Sequence, residues 1–142
     1  MEEEKILVLD ASVAVKWFNI EPLREKALLV REKYANGFVE LITASLLHYE
    51  VANALRYNPR FGIEEVKSAL KPLQDLGVTT IDFVSELKDK SVETAYRFGI
   101  TVYDAAYVAL ALIYDATLFT ADEEVVLKTQ LPNVKHLSEI NP

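Results

Sequence analysis

Four acidic residues spread from one end of the chain to the other offer the clearest chemistry: Asp10, Glu50, Asp104 and Asp122. Asp10 ends the apolar run Ile-Leu-Val-Leu and precedes Ala11-Ser12. An aspartate in that place fits a helix N-cap. It fits equally a carboxylate fixed on a rigid strand end, with Ser12 close enough to hydrogen-bond it. Glu50 has Leu46, Leu47, Asn53 and Ala54 three and four residues away. That largely apolar stripe is expected to face the core, where a lone carboxylate is costly unless it is paired or bound to a cation. The plainer alternatives put Glu50 at the edge of the stripe, reaching water or pairing with Arg56. Asp104 closes Thr-Val-Tyr-Asp, which suits a capping box and the positive end of a helix dipole, yet Ala105, Ala106, Tyr107 and Val108 beside it predict dry surroundings. Asp122 also fits an N-cap, and Glu123 and Glu124 read as first-turn helix acids, with one of them available to an outer position around a site.

Jointly these acids mean more than they do singly, because separate elements carry them toward the place where a parallel sheet would converge them. An all-oxygen ligand set suits a hard cation, Mg²⁺ or Mn²⁺, and argues against zinc or copper. One or two such ions can activate a water and stabilise the leaving oxygen of a phosphodiester.

The elements that must position the acids can be read from apolar periodicity and breakers. Residues 5–9, apolar after Lys5, form a short run suited to a buried parallel strand. A short helix follows over 12–18, and Pro22 is expected to open a longer one that Gly37 closes. Residues 39–43 read as a second strand and 45–57 as a helix stopped by Asn58-Pro59. A helix over 63–76 ends at Gly77, with Pro72 expected to kink or shorten it. Residues 78–81 make a third strand, and 84–98 a helix capped by Gly99. The helix over 103–114 is apolar on nearly every side and belongs in the middle of the molecule. A fourth strand over 117–120, a short helix over 123–129 and a weak last strand over 134–137 complete the chain. Such alternation implies an α/β fold, a three-layer α/β/α sandwich with a mostly parallel central sheet, in one domain spanning residues 1–142. Ligand sites in these folds lie beyond the carboxyl ends of the strands, where Asp10 and Asp122 fall.

Composition narrows the function classes. Hydrophobic residues make up 51% and charged residues 26%, the balance of a compact globule. With no cysteine, disulfides, Cys-based zinc sites and a thiol nucleophile are excluded. The acidic N-terminus reads as neither a signal peptide nor a membrane span, so a cytoplasmic protein is expected. Fifteen Lys+Arg against 22 Asp+Glu give a net charge of −7. No basic cluster stands out, which counts against tight, unassisted binding to nucleic acid. His48 lies on a different helical face from Glu50, and His136 and the Trp17-Phe18 pair read as packing residues. Lys16, Arg56 and Arg60 could touch phosphates but look like ordinary surface cations.

Four segments resemble the signature blocks of PIN domains: Val-Leu-Asp10-Ala-Ser-Val, Leu-His-Tyr-Glu50-Val-Ala-Asn-Ala-Leu, Val-Tyr-Asp104-Ala-Ala-Tyr-Val-Ala-Leu-Ala and Phe-Thr-Ala-Asp122. Order and spacing are most similar to the VapC-type toxins of prokaryotic toxin–antitoxin pairs. The resemblance implies a PIN-like α/β/α sandwich and an Mg²⁺- or Mn²⁺-dependent endoribonuclease, with Asp10, Glu50, Asp104 and Asp122 as metal-binding catalytic acids. It also implies Thr120 as an assisting hydroxyl, Asn53 one turn after Glu50, an RNA substrate, a homodimer, and a VapB-type antitoxin that inserts a segment, often with an arginine, into the acidic pocket. Where many members carry a basic residue after the last acid, this chain has Glu123-Glu124.

Two other classes remain open at this point. One is a non-catalytic PIN-like binding or regulatory module that acts through a partner protein, which the acidic balance favours. The other is a phosphotransfer enzyme with Asp10 as phosphoacceptor, disfavoured because Ser12 stands where Asp-x-Asp would need its second acid.

Overall fold

Five short strands, all parallel, form the centre of the molecule in the computed structural model, which describes residues 5–142. They are β1 (Ile6–Val8), β2 (Glu40–Ala44), β3 (Thr79–Ile81), β4 (Thr117–Thr120) and β5 (Val134–His136), in the spatial order β3-β2-β1-β4-β5. The helices are α1 (Ala11–Ala14), α2 (Arg24–Ala35), α3 (Leu47–Arg56), α4 (Ile63–Asp75), α5 (Ser85–Phe98), α6 (Val102–Ile113) and α7 (Glu123–Thr129). With right-handed crossovers, α1–α4 cover one face of the sheet and α5–α7 the other. The expected α/β architecture is therefore the observed one.

Strand order reverses at β1, because the chain leaves it toward β2 and β3 and later returns to its other side as β4. That reversal parts the loops at the carboxyl ends of β1 and β4 and opens a crevice there. Leu7 pairs with Leu41 on one side and Thr117 on the other, so β1 is hydrogen-bonded along both edges. A strand enclosed in this way needs apolar residues on both faces, which explains the unbroken run before Asp10. Helix α6 crosses β2, β1 and β4, and residues 105–111 are all buried. Ala105, Ala106, Ala109 and Ala111 lack bulk and let this helix lie close against the sheet.

One helix start differs from the sequence reading, and one expected shortening does not occur. Helix α2 begins at Arg24, not at Pro22, because Leu23 takes a left-handed backbone (φ 67°) and the Glu21–Arg24 turn is closed by an Arg24 N–H donating to the Glu21 carbonyl at 3.2 Å. Pro72 does not end its helix, since α4 runs on to Asp75. Ser68 and Pro72 lie on the exposed face, where water can serve the carbonyl that lacks a helical donor. Among the described residues, no single helix is long and apolar enough to cross a membrane.

Replacing Pro72 with Ala restores the missing N–H on an exposed face. It is expected to stabilise the protein by about 1–2 kcal/mol, the helix gain being partly offset by a freer unfolded chain. Urea denaturation of the two proteins measures this directly, and an unchanged midpoint would show that α4 already accommodates the ring without cost.

Candidate active site

Asp10 lies two residues past β1 and is 7% exposed. Its Oδ1 accepts from the Val13 N–H at 3.1 Å and from the Ser12 hydroxyl at 2.8 Å, so the N-cap role expected of it is real. Ser12 also accepts from the Ala121 N–H at 2.9 Å and lies 3.3 Å from Thr120 Oγ1. One serine thereby ties the end of β1 to the end of β4. Thr120 is buried, and its Oγ1 accepts from the Asp122 N–H at 3.2 Å. The Thr120 hydroxyl thus hydrogen-bonds with both Asp10 and the Asp122 backbone.

Glu50 reaches the same opening from α3. The buried face of that helix is Leu47, Val51 and Leu55, not the stripe containing Asn53 and Ala54, which are exposed. Glu50 stands at the edge of the buried face, half-buried, and it does not pair with Arg56. The Tyr107 hydroxyl of α6 donates to its Oε1 at 2.6 Å. Asp104 sits in the first turn of α6, where the Thr101 hydroxyl accepts from its N–H at 3.0 Å. Asp122 caps α7, accepting from the Glu124 and Val125 N–H groups. Asp104 and Asp122 line one recess of about 100 Å³ with Thr101, Glu124 and Lys128.

Electrostatics shows how near these groups are. Burial pushes the Asp10 carboxyl up to about 6 against the pull of Thr120, Ser12 and Val13, and Asp104 adds to the rise. Burial raises Glu50 as well; the Tyr107 hydrogen bond opposes this, while Asp10 and Asp104 reinforce it. Asp104 is raised by burial first and then by Asp122 and Glu124, with Thr101 and Lys128 pulling the other way. The carboxylates thus form a coupled series from Glu50 through Asp10 and Asp104 to Asp122. Among the described residues, none of the four forms an ion pair with Lys, Arg or His. Crowded oxygen anions without a fixed counter-charge fit a hard divalent cation. No three His, Asp or Glu groups among the described residues already stand in a metal-coordinating arrangement, so the acids make an open cluster rather than a closed cage.

Other candidates fall elsewhere. Lys16 is not a surface cation: it is 7% exposed and paired with Glu21 at 2.9 Å. Trp17 is packed, with its indole N–H donating to the Ala27 carbonyl, and His136 caps the turn Leu137–Glu139. Arg56, Arg60 and Asn53 are exposed. Tyr107 was not legible as a site residue beforehand, although a tyrosine on a wholly apolar buried helix must find a partner for its hydroxyl, and that was the available signal.

The PIN domain family model matches residues 7–129. The chain belongs to the PIN-domain family. Ribonuclease VapC3 of Pyrobaculum aerophilum is 35% identical over 127 residues, covering 86% of this PIN domain and 93% of that protein. A toxin–antitoxin complex from Klebsiella pneumoniae contains a chain that superposes with a TM-score of 0.70 at 15% identity, over 96% of this chain and 99% of that one. VapC20 of Mycobacterium tuberculosis, a sarcin–ricin loop cleaving toxin, superposes at 0.67 with 17% identity, over 88% and 95%. At these identities the two structures speak for the PIN fold alone.

The raised Asp10 carboxyl fixes a sign for pH dependence in this PIN domain. The folded protein holds that proton more tightly than the unfolded chain, so the stabilisation is complete below 3.8 and is lost as pH rises through about 6. Asp10→Asn keeps an acceptor for Val13 and removes the charge. In EDTA it is expected to exceed the wild type by about 2–3 kcal/mol near neutral pH and to lose that advantage near pH 4, read from urea midpoints. Equal midpoints at both pH values would mean that Asp10 is less desolvated than the structure indicates.

Proposed function

We propose that this PIN domain is an endoribonuclease hydrolase in which Asp10, Glu50, Asp104 and Asp122 hold Mg²⁺ or Mn²⁺. The observation that carries this reading is the group of four carboxylates, unpaired with any cation among the described residues, at the topological switch point of a parallel sheet. Such an ion supplies Lewis-acid polarisation of a phosphoryl oxygen and a water acidic enough to attack at neutral pH. Asp10 is the rigid anchor, fixed by Ser12 and the Val13 N–H. Asp104 and Asp122 form the opposite wall, their backbones held by the Thr101 and Thr120 hydroxyls. Glu50 has one oxygen engaged by Tyr107, leaving Oε2 available. Thr120 orients Asp10 and Asp122 and stays out of contact with substrate, since it is 1% exposed.

The relative's name, Ribonuclease VapC3, supports RNA as the polymer. A toxin–antitoxin complex among the structural neighbours supports the toxin role, with an antitoxin as partner. A non-catalytic binding module is the second reading, favoured by the net charge of −7.

The deciding experiment is cleavage of a mixed RNA pool with Mg²⁺, Mn²⁺ or EDTA by wild type and Asp104→Asn. Metal-dependent cutting is expected, with a loss of at least about a hundredfold in the variant, whose fold stays intact. A folded wild type that cuts nothing under any condition would hand the case to the binding-module reading. Tyr107→Phe removes only the hydroxyl that holds Glu50. It is expected to weaken Mn²⁺ binding in calorimetry by about tenfold, and unchanged affinity would remove Tyr107 from the site.

A further inference from the structure

Among the described residues, the recess beside the acids is lined by a single cation, and its bonding is incomplete. Asp104, Asp122 and Glu124 supply three carboxylates to this lining, and Lys128 supplies the ammonium. Lys128 Nζ donates to Glu124 Oε1 at 2.8 Å and to the Gly99 carbonyl at 3.2 Å. The first contact alone would be an ordinary pair one helical turn apart on α7. The second crosses to the turn between α5 and α6, where Gly99 adopts a left-handed backbone (φ 66°) that ends α5. Together the two contacts hold the ammonium at the lip of the recess, with 42% of the Lys128 side chain still exposed. An ammonium has three N–H donors, and the third has no acceptor among the described residues. Lys128 also acts on the acids, since it pulls Asp104 downward while Glu124 pushes it up.

A polyanion approaching this opening meets four carboxylates on a chain of net charge −7, so a cation at the rim is what the approach most needs. The geometry points to Lys128 as the residue that grips a phosphate of the RNA at the mouth of the site, with Glu124 and the Gly99 carbonyl aiming its free donor. This assignment rests on the endoribonuclease reading, and it makes Lys128 a substrate-binding residue for that reaction.

The test measures binding without turnover, by fluorescence anisotropy of a labelled mixed-sequence oligoribonucleotide with Asp104→Asn protein across a KCl series. Adding Lys128→Met is expected to weaken binding about fivefold at low salt and to flatten the plot of log K against log salt by about 0.7, the loss of one phosphate contact on a single strand. Lys128→Arg keeps the charge and should restore both. Unchanged affinity and slope in Lys128→Met overturn the assignment and leave the nuclease reading to its own test, the loss of cleavage in Asp104→Asn. Weakening that arginine does not rescue also overturns it, because the effect would then come from a broken latch to Gly99 and not from a lost phosphate contact. An Asp104→Asn protein that binds no RNA at any salt overturns it together with the RNA reading.

Discussion

Repulsion among carboxylates gathered at one sheet edge governs the rest of this structure. Two unit charges about 4 Å apart interact by about 4 kcal/mol at the effective dielectric near a protein surface, and burial adds a desolvation cost to each. Asp10 carries the largest burden, since it is both the most buried and coupled to Asp104. A fold stable for its own sake would have separated these groups or placed an arginine among them. Here the strand order prevents separation, because β1 and β4 are hydrogen-bonded neighbours whose ends deliver Asp10 and Asp122 to the same crevice.

Local groups offset that repulsion in a particular way. The side chains that contact the acids or their backbones are hydroxyls: Ser12 and Thr120 around Asp10, Tyr107 on Glu50, Thr101 at Asp104. A hydroxyl donates a hydrogen bond to a carboxylate without cancelling its charge. It therefore fixes geometry while leaving the opening negative, and a cation remains attractive there. A lysine or arginine in the same places would have neutralised the cluster. The cation that does come near, Lys128, is held at the rim by Glu124 and Gly99.

The sequence made much of this visible through its strongest local signals. Unbroken apolar runs before Asp10 and within 105–111 located the buried strand and the central helix, because complete burial leaves little freedom of residue type. Helix starts were less legible where tertiary context prevailed. Pro22 looked like a first-turn residue, but Leu23 adopts a left-handed backbone and delays α2. Pro72 looked able to kink or shorten its helix, but α4 runs on to Asp75. The face of α3 was misread because helical spacing alone cannot say which of two adjacent stripes meets the sheet; Val51, not Glu50, turned out to be its centre. Lys16 looked like a surface charge because its partner Glu21 lies beyond the helix that carries it. Partnerships between elements, such as Tyr107 with Glu50, leave no periodic trace at all.

The serine that ties the end of β1 to the end of β4 also bears on when the site comes into being. Ser12 is separated from its partners Thr120 and Ala121 by 108 and 109 positions in sequence. The acidic opening therefore does not exist until β4 has been made. During translation, Asp10 emerges early and waits for β4 before it gains the neighbours that orient it. Pairings this distant in sequence form late, since loop closure must precede them. A chain that stops short of β4 therefore carries Asp10 without the strand and the tie that complete the site.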